Sequence, residues 1–172
     1  MSVEEFIAQY EIIKELGRGG FSIVYLAKER SSGKLVAIKV IDISEDNKDE
    51  LKKEFSIQRQ FESPYIVNII SYFEDKEKEK FVIIIEYVNG GELLDAIIQN
   101  GAFSEFDAAS LIQQTLIGLK VLHDNNVIHR DLKPENILLS TNEANSETTA
   151  KISDFGLADL FSEAKLQKYC GT

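Results

Sequence analysis

The 172-residue chain has a single cysteine, Cys170, which excludes an internal disulfide and suits a reducing compartment. No apolar run approaches the roughly 20 residues that a membrane-spanning helix needs. Residues 1–10 are acidic, and no basic stretch followed by an apolar one is present, so no secretory signal is visible. Histidine is scarce, and His123 has no second ligand at a metal-binding spacing; it reads as a polar residue near a helix end. Positive charge is short too, with 19 Lys and Arg against 29 Asp and Glu and a formal net charge of −10. That balance disfavours attraction to nucleic acid or an anionic membrane and favours basic partners, although acidity serves solubility equally well. At 44% hydrophobic and 28% charged residues, the chain has a soluble, globular composition, long enough for one domain with a real core; a cytoplasmic location is expected.

The most informative stretch is His129-Arg130-Asp131-Leu132-Lys133-Pro134-Glu135-Asn136, a charged octet between the apolar runs Val127-Ile128 and Ile137-Leu138-Leu139. Such runs read as buried β segments, so the octet is a loop tethered at both ends and able to aim side chains. Asp131 could accept a proton from a hydroxyl nucleophile, Lys133 stands two residues on, and Asn136 offers a neutral oxygen to a hard cation. A charged surface turn is the bland alternative, and it would be the better reading of any three of these residues alone.

Two further stretches stand in register with it. Residues 10–16 read as a strand entering Gly17-Arg18-Gly19-Gly20-Phe21-Ser22, whose glycines let backbone amides approach phosphate oxygens. A dinucleotide-binding turn would be followed by a helix, but Ile23-Val24-Tyr25-Leu26 favours a second strand and hence a hairpin. In residues 35–41 Lys39 interrupts an apolar strand, an expensive place for a cation unless it is paired. The predicted helix over 49–61 puts Glu54, Ile57, Gln58 and Phe61 on one stripe, making Glu54 the first candidate partner and Glu50 the second. Lys39 snorkelling to solvent is the remaining reading.

Together the octet, the glycine hairpin and Asp154-Phe155-Gly156 resemble a eukaryotic protein kinase catalytic domain. Lys133 is similar to the serine/threonine-specific branch, and Ser22, the 85–92 stretch and the polar loop over 140–149 resemble the calcium/calmodulin-dependent group. The resemblance implies an α+β, two-lobed fold: an antiparallel sheet with one helix over 10–87, then a mainly helical lobe over 88–172, after a short extension at 1–9. It implies ATP and magnesium as cofactors, with Asp131, Lys133, Lys39 and Glu54 as catalytic residues and Asn136 and Asp154 as metal ligands. Nucleotide contacts fall on Leu16, Gly17, Arg18, Gly19, Gly20, Phe21, Ser22, Val24, Ala37, Lys39, Glu86, Val88, Glu92 and Leu138, with Gly90 and Gly91 permitting the crossover between lobes. Glu92 is also readable as ordinary helix-start charge.

Glu92 and Glu135 resemble positions that meet substrate arginines, so protein substrates basic near the acceptor Ser or Thr are expected, with no nucleic acid or membrane partner. Calmodulin would act only through a region beyond these residues. Departures from the family's pattern are Ser22 for a third glycine, Lys168 where relatives carry an activating phosphothreonine, and Gln58 where they carry an apolar side chain. Gln58 is either an unpaired buried amide, which would favour a resting inactive state, or one that hydrogen-bonds locally or faces water. The 140–149 segment is expected to be a loop between two short strands, and residues 104–122 a helix capped by Ser104 and Asp107. Its stripe of Ala108, Leu111, Ile112, Leu116, Leu119 and Leu122 would forgo on the order of 9–18 kcal/mol if left uncovered. With Thr172 matching the middle of the family's activation segment, a truncated chain, unstable alone and weakly active, is expected. A nucleotide-binding fragment with a regulatory role or no independent one is the alternative.

Overall fold

The computed structural model describes residues 2–101, 103–142, 145 and 147–161; Lys168, Cys170 and Thr172 lie outside them. The chain divides into two compact units, one formed by residues up to Glu50 with Asn68–Tyr87, the other by Leu51–Val67 with the described residues from Val88 onward.

The first unit is a five-stranded antiparallel sheet. Its strands are β1 (Tyr10–Arg18), β2 (Ser22–Glu29), β3 (Leu35–Asp42), β4 (Ile69–Asp75) and β5 (Lys80–Glu86), in the order β1-β2-β3-β5-β4. Period-2 alternation decides its faces. Val36 and Ile38 of β3, Ala27 of β2, and Val82 and Ile84 of β5 are buried in one cluster, while Ala37, Lys39 and Ile41 take the opposite face. The core face is covered by a helix where the sequence suggested only an extension, α1 (Val3–Ile7). Ser2 and Glu5 close a reciprocal capping box at its start, which lets so short a helix form. Val3 and Phe6 join the sheet's core, and Phe6 stacks on Phe73 at 5.3 Å. Burying both stabilises the unit by roughly 1.5–3 kcal/mol each. The Val3 amide donates to Asp75 Oδ2 at 3.1 Å, and Lys78 pairs with Glu4 at 2.6 Å, so α1 is tied to the end of β4 and to the β4–β5 turn.

The second unit holds all but the first turn of α2 (Lys48–Gln58), then α3 (Leu93–Asn100) and the long α4 (Glu105–Asp124). Four short strands follow: β6 (Val127–Ile128), β7 (Ile137–Leu139), β8 (Ala150–Ile152) and β9 (Asp159–Leu160). β6 pairs with β9 and β7 with β8, both antiparallel. Ser104 caps α4 by accepting from the Asp107 amide at 3.1 Å. The single stripe expected on this helix is in fact two faces. Leu111, Thr115, Gly118 and Leu122 are buried, whereas Ile112 and Leu116 are 60% and 57% exposed. Gly118 belongs to the buried face because a Cβ there would stand 2.8 Å from the Tyr65 carbonyl oxygen. The 9–18 kcal/mol ascribed to six uncovered side chains is therefore too large, since Leu111 and Leu122 are already buried. The core of this unit gathers Ile57, Phe61, Ile66, Leu122, Val127, Ile152 and Phe155.

Candidate active site

In the first unit the glycine hairpin and Lys39 are joined by strand register. Gly17, Val24, Lys39, Ile83 and Tyr72 form one row across all five strands. Ala37 lies two residues from Lys39, hence on the same face, away from the α1-covered core. The hairpin turns at 19–21, closed by the Gly19 amide donating to the Ser22 carbonyl at 2.8 Å. No described atom lies within 4 Å of a Cβ built at Gly17 or Gly20, so packing within the protein does not require glycine there. Leu16 and Phe21 are exposed, and Arg18 grips Glu15 through two hydrogen bonds at 3.1 and 2.7 Å. Glu86 ends β5 with its Oε1 accepting from both the backbone and side-chain nitrogens of Asn68, at 2.7 and 3.0 Å.

In the second unit the octet is clamped as its flanking apolar runs suggested. Pro134–Asn136 forms a short 3-10 helix, and the buried Asn136 donates from Nδ2 to the Asp131 carbonyl at 2.8 Å and to Asp131 Oδ2 at 3.0 Å. Lys133 Nζ reaches the same carboxylate at 3.1 Å. Three of the sequence-derived site residues thus meet at one carboxylate. Ser153 fastens the loop to the strand beyond: its amide and hydroxyl both donate to the Asn136 carbonyl, at 2.9 and 3.1 Å. Asp154 is the next residue in the chain after Ser153, just past the β7–β8 pairing. His129, 1% exposed, has Nε2 2.9 Å from the Ser153 carbonyl and Nδ1 3.4 Å from the Asp131 amide. A carbonyl only accepts, so Nε2 is the donor in the bond to Ser153. It meets the fully buried Phe155 ring in a T-shaped arrangement, with ring centroids 5.2 Å apart. Ser153 carried no motif signal, and its role becomes visible only through pairing.

Arg130 and Asp154 both adopt left-handed backbone, at φ 66° and 57°. Such residues persist where surroundings hold them. For Arg130 the holders are the Leu157 carbonyl, 2.6 Å from Nε, and Asp159, 3.5 Å from Nη2. For Asp154, Oδ1 accepts from the Gly156 amide at 3.2 Å.

The crossing segment that contains Val88 runs against β7. Gly90 donates to the Leu139 carbonyl at 2.7 Å, Leu139 donates to the Gly91 carbonyl at 2.9 Å, and Glu92 bridges Leu138. A Cβ at Gly90 would stand 2.0 Å from the Thr141 carbonyl oxygen, and Gly91 has φ 77°. Both glycines are thus required by the fold itself. Glu92 is the N-cap residue of α3 but makes no side-chain capping hydrogen bond. Burial, reinforced by Asp95 and Glu135, pushes its carboxyl above the usual range.

Gln58 settles on one of its two readings: it is buried, and its Nε2 donates to the Val67 carbonyl at 3.0 Å. The reading of an unpaired amide is overturned, because the chain after α2 brings a backbone acceptor back to the helix. Glu54, one turn earlier, is half-buried on α2.

No group of three or more His, Cys, Asp or Glu side chains among the described residues is arranged to hold a metal ion. Magnesium asks for less, since it keeps waters and phosphate oxygens as most of its ligands and takes one or two from protein. Asn136 spends Nδ2 on Asp131, which leaves its Oδ1 for a cation, and Asp154 supplies carboxylate oxygen; the donor set fits.

The first unit thus carries a glycine hairpin and a strand lysine, and the second a loop clamped around an aspartate. Residues 10–172 match the protein kinase domain family, and the chain belongs to it. It is 42% identical over 167 residues to myosin light chain kinase A of Dictyostelium discoideum, covering 95% of this chain and 55% of that protein. It is 40% identical over 165 residues to calcium/calmodulin-dependent protein kinase type 1 of Macrobrachium nipponense, covering 94% and 47%. With calcium-dependent protein kinase 4 of Plasmodium berghei it shares 40% over 167 residues, 95% of this chain and 31% of that one. The chain spans about half the length, or less, of these relatives, and the expected likeness to the calcium/calmodulin-dependent group stands.

Proposed function

We propose that the protein transfers the γ-phosphoryl group of ATP to Ser or Thr hydroxyls of protein substrates. The observation that carries this is the junction of Asp131, Lys133 and Asn136 on one loop, to which Ser153, the residue before Asp154, is hydrogen-bonded. In this reading Asp131 accepts or orients the hydroxyl proton and Lys133 stabilises charge on the group in transit. Asn136 Oδ1 and Asp154 would hold magnesium, which supplies charge neutralisation to the phosphate oxygens when bound. Lys39 with Glu54 as its partner, and the amides of 17–22, would serve the phosphates, and Leu16, Val24, Ala37 and Leu138 with backbone groups of Glu86 and Val88 would serve the base. Glu92 with Glu135 favours a basic side chain near the acceptor hydroxyl, and the setting is cytoplasmic.

The test is transfer of labelled phosphate from Mg-ATP to a Ser peptide with arginines before the acceptor, against an acidic peptide of equal length. The basic peptide is phosphorylated preferentially, and Asp131→Ala lowers kcat by at least about 10²-fold, the floor of general-base help. A smaller loss removes Asp131 from the base role, and preference for the acidic peptide removes the substrate assignment. Binding of Mg-ATP without transfer would assign the protein instead to nucleotide binding alone.

A further inference from the structure

Asp159 opens β9 with its side chain 16% exposed, and donors from α2, from the catalytic loop and from its own strand meet its carboxylate. Oδ1 takes Lys53 Nζ from α2 at 2.9 Å and the Leu160 amide at 2.9 Å, and Oδ2 takes Arg130 Nη2 from the catalytic loop at 3.5 Å. Lys53 and Glu54 are adjacent on α2, and Arg130 and Asp131 are adjacent on the loop. One carboxylate therefore holds the immediate neighbours of two residues that the proposed chemistry needs. The loop has particular need of a holder because Arg130 carries positive φ, and its partners among the described residues, the Leu157 carbonyl and Asp159, come from the same short segment. That segment is anchored in turn by the Ile128–Asp159 and Val127–Leu160 pairing.

We propose that Asp159 is a positioning residue, a fixed internal anion that ties helix α2 to the catalytic loop and so sets the placement of Glu54 and Asp131 together. The order of the loop then depends on a carboxylate built into the chain, with no charge added by modification. This inference rests on the function proposed above for its catalytic consequence, but the tether itself is independent of it.

The experiment compares wild type, Asp159→Asn, Lys53→Met, the double variant and Asp159→Glu. Hydrogen exchange of residues 48–58 and 127–136 is followed by mass spectrometry, and kcat and KM for ATP are measured on the basic peptide. A half-exposed ion pair predicts exchange in α2 roughly two- to fivefold faster in either single variant and a fall in kcat of similar size. The double variant is no worse than Asp159→Asn alone, and Asp159→Glu recovers part of both effects. Lys53 is 42% exposed, so its replacement leaves the fold intact even if Asp159→Asn does not. Unchanged α2 exchange in Lys53→Met, or effects of the two substitutions that simply add, overturns the proposal. A wild-type protein that transfers no phosphate defeats the proposed function instead, and the exchange data still decide the tether.

Discussion

Asn136→Asp is the sharpest perturbation of the catalytic loop, because it changes one NH2 group to oxygen and almost nothing in volume. Asn136 is 6% exposed, and its Nδ2 makes two hydrogen bonds to Asp131, one to the carbonyl at 2.8 Å and one to the carboxylate at 3.0 Å. A neutral hydrogen bond contributes about 0.5–1.5 kcal/mol and one to a charged acceptor about 1.5–3, so the loss is roughly 2–4 kcal/mol before repulsion between two carboxylates is added. The two acids then contest one position, and the folded state raises the affinity of one of them for a proton. A carboxyl whose folded pKa lies above its unfolded value destabilises most at high pH. The deficit shrinks as pH falls through the folded value towards the unfolded one, because the protonated acid can donate one of the lost bonds. Urea denaturation at pH 7.5 and again at pH 5 reads this directly. The variant is weaker by at least about 2 kcal/mol at the higher pH, and the gap narrows at the lower. Equal stability at pH 7.5, or a gap that widens on acidification, would show that Asn136 does not hold Asp131 in the way described.

Other outcomes follow from single contacts. Gly90→Ala, with its Cβ directed 2.0 Å from the Thr141 carbonyl oxygen, lowers stability by more than the roughly 1 kcal/mol that φ strain alone costs at Gly91→Ala; thermal melts that rank the two the other way refute the close approach. Gln58→Leu strands the Val67 carbonyl, costing about 1–3 kcal/mol, and does not raise basal turnover; a more active and equally stable variant would restore the reading of an unpaired amide. Glu4 is lowered to about 2 by the Lys78 ammonium, and Asp75 is lowered by the amides of Lys78, Val3 and Glu77. Depressed carboxyls stabilise above their unfolded values near 4 and lose that effect as pH falls through the folded ones, so α1 loosens between about pH 4 and pH 2. Hydrogen exchange at residues 3–8 should accelerate over that window, and Lys78→Met should move the onset upward; an unmoved onset would separate α1 docking from this pair.

What the sequence made legible has a common physical character. Lys39 stood out because a cation between Val36-Ala37-Ile38 and Val40-Ile41 is expensive, and the octet because polar residues between two apolar runs form a tethered loop; each is a local conflict that only a particular environment resolves. Helix α1 was missed although its capping box, Ser2 with Glu5, was written in the sequence, because five residues are too few for periodicity to register. On α4 the periodicity was present but misleading. Leu111, Thr115, Gly118 and Leu122 face inward because Tyr65 approaches the helix closely at Gly118, and a hydrophobicity pattern ranks Thr and Gly below the Ile112 and Leu116 that lie outside.

The groups that hold the site together share the opposite property, since their partners are remote in sequence and unremarkable in type. Ser153 meets Asn136 across 17 residues, and His129 meets Ser153 across 24. Asp159 takes up Lys53 from more than a hundred residues away, and a serine or an aspartate in a polar loop carries no signal of such an engagement. A motif therefore fixes which atoms can do chemistry, while the tolerance to which they are placed is set by hydrogen bonds made after the strands have paired. For this chain the Ser153 donors meet the Asn136 carbonyl next to the Ile137–Ile152 pair, so the placement of the loop that carries Asp131 depends on β7–β8 pairing.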